Sequence, residues 1–149
     1  MAFVAWFRLT YPHLAGRLVH IANEYGTGKP DGAYFGKLAK RAKMGVTKGV
    51  SDYFLACVLA NNTGILRPGL WLEMKAANGT LKPEQEVFLT EMAAAGYGAG
   101  VAWGQEGARR IVGRYMDGRL EGVVMASNGT SFAKLPMFTK AGKVRRRGA

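Results

Sequence analysis

Four residues have the types and spacing to act together on a phosphate: Asp52, Glu73, Lys75 and Gln85. The stretch "GLWLEMKA" (Gly69 to Ala76) reads as a β-strand. Strand side chains alternate faces, so Trp71, Glu73 and Lys75 share one face and Leu70, Leu72 and Met74 the other. Glu73 and Lys75 then project about 7 Å apart. Two charges in so apolar a strand are costly unless they are paired or bind something. Asp52 stands at the start of the preceding apolar run, "SDYFLACVLA". If the two runs pair, opposed residues lie within about 5 Å, and Asp52 and Glu73 enter one cleft. Carboxylates that close repel each other unless a cation lies between them. Oxygen donors favour a hard ion, Mg²⁺ or Mn²⁺, and the main-chain carbonyl of Met74 with waters would complete the set.

Lys75 beside such an ion can hold or activate a water and steady negative charge on a phosphate. Gln85 opens the next helix, where its amide can orient that water. A competing reading is a Glu73–Lys75 ion pair on a solvated strand face. E-x-K is a short pattern, and taken alone it favours that simpler reading.

The elements that must position these residues follow from periodicity and punctuation. Residues 1 to about 10 read as a short helix with Phe3 and Phe7 inward, and "YPHLAG" breaks it. "RLVHIAN" (Arg17 to Asn23) is a strand. Asp31 to Met44 is a helix with Lys and Arg on its outer face, ended by Gly45. Ser51 to Ala60 is expected to be one strand, "NNTG" a turn, and Gly69 to Ala76 a second strand antiparallel to the first. Pro83 begins a helix that Gly96 stops. Tyr97 to Trp103 is a third core strand, Gln105 to Met116 a helix, and "LEGVVMAS" a possible edge strand, with the remainder tail. This order predicts an α/β fold, a mixed sheet covered by helices. The expected division is a domain over residues 1–118 and a C-terminal extension over 119–149.

The chain has 149 residues, enough for one domain with its own core, and 48% of them are apolar. No apolar run approaches the ~20 residues of a membrane span, so a soluble protein is expected. The start lacks a basic lead and a small-residue cleavage site, which argues against a secretory signal. The single cysteine, Cys57, lies in an apolar run and reads as a buried thiol, in keeping with a cytoplasmic setting.

Lys and Arg number 21 against 10 Asp and Glu, a net charge of +11, and the first partner this suggests is a nucleic acid. The basic residues gather in "KLAKRAK" (Lys37, Lys40, Arg41, Lys43) and in the tail from Lys140 to Arg147. Lys48, just ahead of Asp52, is placed for a phosphate contact, although a solvated loop lysine is an equal reading. His20 and Asn23 lie on a candidate strand and its loop. His20 reads first as structural and second as a DNA contact. Trp71 reads as core packing before base stacking. "GTGK" is too short for a nucleotide-binding loop and opens no clear helix.

Taken together, "MGVTKGVSDYFL" and "GLWLEMKAANGTLKPEQEVFLTEMAAAGYGAGVAWG" resemble the virus-type replication-repair nuclease (VRR-NUC) domain family of the PD-(D/E)xK nuclease superfamily. The resemblance rests on Gly45, Val46, Gly49, Asp52, Glu73, Lys75, Gly79, Leu81, Gln85, Gly96 and Tyr97, and covers roughly residues 3 to 115. "HIANEYG" is similar to the family's upstream strand and its Asn-containing loop. There are departures. Ser51 stands where the family usually has Pro, and the first helix has no Glu or Gln to approach the metal site. The resemblance implies a metal-dependent DNA nuclease with Asp52, Glu73, Lys75 and Gln85 as catalytic residues and Asp52, Glu73 and the Met74 carbonyl as metal ligands. Lys40, Arg41, Lys43, Lys48, His20 and Asn23 would contact DNA. It also implies branched or flapped DNA as substrate, with four-way junction resolution, by a homodimer, as in stand-alone members of the family. The first helix (Phe3, Val4, Trp6, Phe7) and the stretch Val123 to Ala126 are candidate dimer contacts or ordinary core, with core the first reading for the helix. The small size and basic charge fit a phage-type protein. The rival readings are a flap-directed, end-directed or restriction-type nuclease, and a non-catalytic basic nucleic-acid-binding protein.

Overall fold

The structure, a computed structural model, describes residues 2–22, 29–127 and 133–134. The chain begins with α1 (Ala2–Thr10), a short 3-10 turn (Pro12–Arg17) and β1 (Leu18–His20). Next come α2 (Gly32–Lys43), β2 (Tyr53–Leu55) and a small hairpin of β3 (Leu59–Ala60) and β4 (Leu66–Arg67). The C-terminal half runs β5 (Leu70–Lys75), α3 (Pro83–Ala94), β6 (Gly98–Trp103), α4 (Gly104–Met116), β7 (Val123–Ser127) and β8 (Ala133–Lys134).

Six strands form one mixed sheet in the order β1-β2-β5-β6-β7-β8. The pairs β1–β2, β2–β5 and β7–β8 are antiparallel, whereas β5–β6 and β6–β7 are parallel. The two parallel steps carry α3 and α4 as their crossovers; α4 packs on the face of Leu70 and Leu72 and α3 on that of Trp71, so helices cover both faces. Alternation assigns the faces as the sequence predicts. Leu70 and Leu72 enter a core with Phe3, Phe7, Ile111 and Tyr115 from α1 and α4. Trp71 turns the other way and packs with Leu89, Val101 and Phe88 beneath α3.

The small residues of β6 explain how α4 comes so close. A methyl group at Gly98 would lie 2.7 Å from Tyr115 Cδ2, and one at Gly100 2.8 Å from Ile111 Cγ2. Ile111 and Tyr115 are one helical turn apart and rest on those bare backbone positions. The buried Tyr115 hydroxyl donates to the Cys57 carbonyl at 2.5 Å, tying α4 to the chain beyond β2, and burial raises its pKa.

Ser51 to Ala60 is not the single strand expected. Its pairing with β5 covers only Tyr53, Phe54 and Leu55. The Cys57 N–H then bonds the Leu55 carbonyl two residues back, a tight turn that redirects the chain into the hairpin. The "NNTG" turn is as expected. Asn61 Oδ1 accepts from the Thr63 amide, the Thr63 hydroxyl and the Ile65 amide. The stretch Val123–Ser127 is no edge among the described residues, because β8 lies outside it. It pairs with β6 across the same sheet, and Val123, Val124 and Ala126 are buried. Phe3 and Phe7 are buried as well, so the core occupies both stretches offered as dimer contacts. Cys57 is a free, buried thiol. No helix among the described residues is long and apolar enough to cross a membrane.

Candidate active site

The site forms at the C-terminal ends of the parallel strands β5 and β6, where β2 begins. Ligands of open α/β sheets gather at this end. Asp52 immediately precedes β2. Extending the register Tyr53↔Leu72 by one residue sets it opposite Glu73. Its main-chain carbonyl accepts from the Ile21 N–H at 2.7 Å, which extends the β1–β2 ladder, and its Oδ2 accepts from the Met74 N–H at 2.9 Å. A strand residue directs its N–H and C=O to the same side. The Met74 carbonyl therefore faces the side on which the Asp52 carboxylate lies.

Glu73 is only 2% exposed. Its Oε1 accepts from Gln85 Nε2 at 2.7 Å and lies 3.0 Å from Lys75 Nζ. Lys75 Nζ also donates to Gln85 Oε1 at 2.7 Å, and that oxygen accepts the Lys82 N–H at 3.0 Å. Glu73, Lys75 and Gln85 thus close a three-membered ring. The ion pair foreseen on a solvated face exists, but it is buried. Gln85 spends both ends of its amide on the other two side chains, which makes it a positioning residue for Glu73 and Lys75.

Glu73 Oε2 is different. It is buried and makes no hydrogen bond among the described residues. Burial pushes the Glu73 carboxyl above its ordinary value, and the nearby Asp52 carboxylate pushes the same way. Lys75 and the Asp52 backbone amide oppose them and do not cancel the effect. A raised carboxyl contributes stability that is full below its ordinary value of 4.5 and is lost as pH rises through the folded value. In chelator, the stability of the wild type relative to Glu73→Gln should therefore be greatest below pH 4.5 and decline as pH rises. Thermal unfolding of both proteins across pH 3.5–8 checks this, and a difference that grows with pH contradicts it.

Two clefts meet at Asp52. One, of about 410 Å³, is walled by His20, Tyr53, Lys75, Gly104 and Gln105. The other, of about 480 Å³, is walled by Tyr34, Leu38, Lys48, Lys82 and Gln85. His20 and Lys48 thus each line a cleft that Asp52 also lines. The His20 ring lies 5.2 Å from that of Tyr53. Lys40, Arg41 and Lys43 are exposed on α2 and line neither cleft. Asn23, the "GTGK" segment and the basic tail lie outside the described residues. Trp71 packs among Phe54, Phe88 and Tyr97, as core.

Sequence reasoning passed over Tyr34, Leu38, Lys82 and Gln105. Lys82 had a signal, since it lies between Leu81 and Gln85 in the step that carries the resemblance. Gln105 had a weaker one, as it follows directly on the C-terminal end of a parallel strand. Tyr34 and Leu38 had none, because their place depends on how α2 lies over the sheet.

The donor set fits a hard divalent cation: the Asp52 carboxylate, the unpartnered Glu73 Oε2 and the Met74 carbonyl. Among the described residues no group of three or more His, Cys, Asp or Glu side chains is assembled, so carbonyl and water oxygens would supply the rest.

No family model matches the chain, and no curated protein does. Among solved structures the fold is similar to that of a VRR_NUC domain protein, with a TM-score of 0.60. The likeness covers 82% of this chain and 86% of that one at 21% identity, and it is a likeness of fold. The protein has a VRR-NUC-like, mixed α/β fold.

Proposed function

We propose that the protein is a divalent-metal-dependent endonuclease that hydrolyses phosphodiester bonds in DNA. One observation carries the reading. A buried Glu73 oxygen without a hydrogen-bond donor among the described residues stands beside a second carboxylate, at the end of the sheet where ligands of such folds gather. A basic binding protein needs no such pair, and the arrangement is costly without a cation to join it. The VRR-NUC-like fold and the net charge of +11 agree with a nucleic-acid substrate.

Asp52, Glu73 and the Met74 carbonyl would hold Mg²⁺ or Mn²⁺. Such an ion supplies Lewis acidity toward the phosphate and makes water a better nucleophile near neutral pH. Gln85 fixes the Glu73 carboxylate through Oε1 and leaves Oε2 for the ion. Lys75, held by Glu73 and Gln85, keeps one N–H for a phosphate oxygen or the attacking water. Its charge offsets what develops on the phosphate. Lys48 and His20 would contact DNA from the two clefts, with Lys40, Arg41 and Lys43 along the approach.

The finer reading is action on branched DNA, resolving four-way junctions as a homodimer. One chain presents one Asp-Glu-Lys set, paired cuts need two, and a two-fold dimer supplies them. With the first helix and β7 committed to the core, such a dimer would cover the exposed apolar residues near the small hairpin, Val58, Ile65 and Leu66. The test is incubation with labelled linear, flapped and four-way DNA in Mg²⁺, Mn²⁺ or chelator, alongside sedimentation at micromolar protein. Metal-dependent paired cuts by a dimer are expected. Cutting in chelator contradicts the metal reading, and single unpaired nicks by a monomer contradict the junction reading.

A further inference from the structure

The helix α2 is unusual in this fold. It runs for 12 residues and buries none of them. Phe35 is 57% exposed, and the basic residues point to solvent. Only Tyr34 and Leu38, one turn apart, are half-buried, and both turn into the cleft that has Asp52 on its wall. The helix therefore presents an aromatic and an aliphatic side chain to the site instead of to the core. Lys48, Lys82 and Glu84 line the same cleft, two cations and one carboxylate besides Asp52. The Gly49 backbone is pressed against α3, where an added methyl would lie 2.3 Å from the Glu84 carbonyl, so the wall opposite α2 is firmly set.

We propose that this cleft is a subsite for one unpaired nucleobase next to the phosphate at Asp52. Tyr34 and Leu38 contact the base, and Lys48 and Lys82 contact its phosphates. The volume of about 480 Å³ is in the range of pockets that enclose a small ligand. An aromatic face, an aliphatic contact and two cations are the chemistry that holds a single-stranded nucleotide without regard to sequence. A base stacked and paired in a duplex must leave its stack to enter, and this costs least when it is already unpaired. Among branched substrates, those with a nucleotide unpaired or readily unpaired beside the cut, as at a branch point, are therefore preferred. The identity of the ligand rests on the nuclease reading.

The test is fluorescence and affinity with 2-aminopurine oligonucleotides in chelator, where no cleavage interferes. One probe carries the fluorescent base unpaired in a one-nucleotide flap, and the other carries it paired in a blunt duplex. Wild type and Tyr34→Phe should quench the unpaired probe. Tyr34→Ala should lose the quenching and bind that probe roughly 5- to 150-fold more weakly, the range for losing one stacked base, and Leu38→Ala should also weaken binding of that probe, with duplex affinity unchanged in both. Absence of quenching by the wild type, undiminished quenching by Tyr34→Ala, or equal losses on both probes overturns the subsite. Cleavage in Mg²⁺ is scored separately. A protein that quenches and never cuts refutes the nuclease reading alone, and one that cuts without quenching refutes the subsite alone.

Discussion

Glu73→Gln should lower the rate of DNA cleavage by roughly 10³-fold or more, and Asp52→Asn should do the same, because an ion correctly held at the phosphate contributes several kcal/mol of transition-state stabilisation. Gln at position 73 keeps the length of the side chain and can still accept from Gln85 Nε2. The fold around the ring is therefore expected to survive, and the loss will report on charge. What disappears is the anionic Oε2 beside Asp52, a buried oxygen with no hydrogen-bond donor among the described residues. Removing negative charge from the cleft should leave DNA affinity unchanged or higher, since the partner is a polyanion. Single-turnover cleavage at saturating protein separates the two effects. Rates within a few-fold of wild type for either variant would show that these carboxylates do not carry the chemistry.

Lys75→Met should lower the cleavage rate by roughly 10²-fold or more, the scale for losing one positioned electrostatic group, with little change in DNA affinity. Lys75 is ordered from two sides, 3.0 Å from Glu73 Oε1 and 2.7 Å from Gln85 Oε1, so its ammonium is in place before substrate arrives. Met keeps the apolar stem and removes the charge. The same substitution leaves Glu73 without its buried counter-charge, so a raised demand for metal should accompany the loss of rate. A variant that binds DNA weakly but cuts at the wild-type rate once saturated would make Lys75 a phosphate anchor only.

The site was more legible in the sequence than the path of the chain around it. Glu73 and Lys75 stand out because charges in an apolar strand are conspicuous and strand alternation puts them on one face, whereas Asp52 at the start of an apolar run and Gln85 at the start of a helix are joined to them by the family resemblance. Antiparallel pairing of two apolar runs is expected from the sequence, and the structure supplies the register that sets Asp52 opposite Glu73. The end of β2 was hidden, because Ala56, Cys57 and Val58 are as apolar as the strand before them, and the turn that diverts them is made by backbone hydrogen bonds. The place of β7 inside the sheet was hidden too. It depends on β8, two residues long, which carries no periodicity to read. Gln85 was found, but its part was read as water orientation. Its contacts with both Glu73 and Lys75 depend on the approach of α3 to β5, which no local pattern encodes. Tyr34 and Leu38 are the same case in stronger form, since an i, i+4 apolar pair on a helix reads as core wherever it occurs.

The most direct test of the central claim is Mn²⁺ titration of the protein by calorimetry, without DNA, for wild type, Asp52→Asn, Glu73→Gln and Lys75→Met. The wild type should bind the ion at a site that both carboxylate substitutions abolish, while Lys75→Met retains it. Equal binding by all four proteins, or none by the wild type, would contradict the assignment of Asp52 and Glu73 as a metal site.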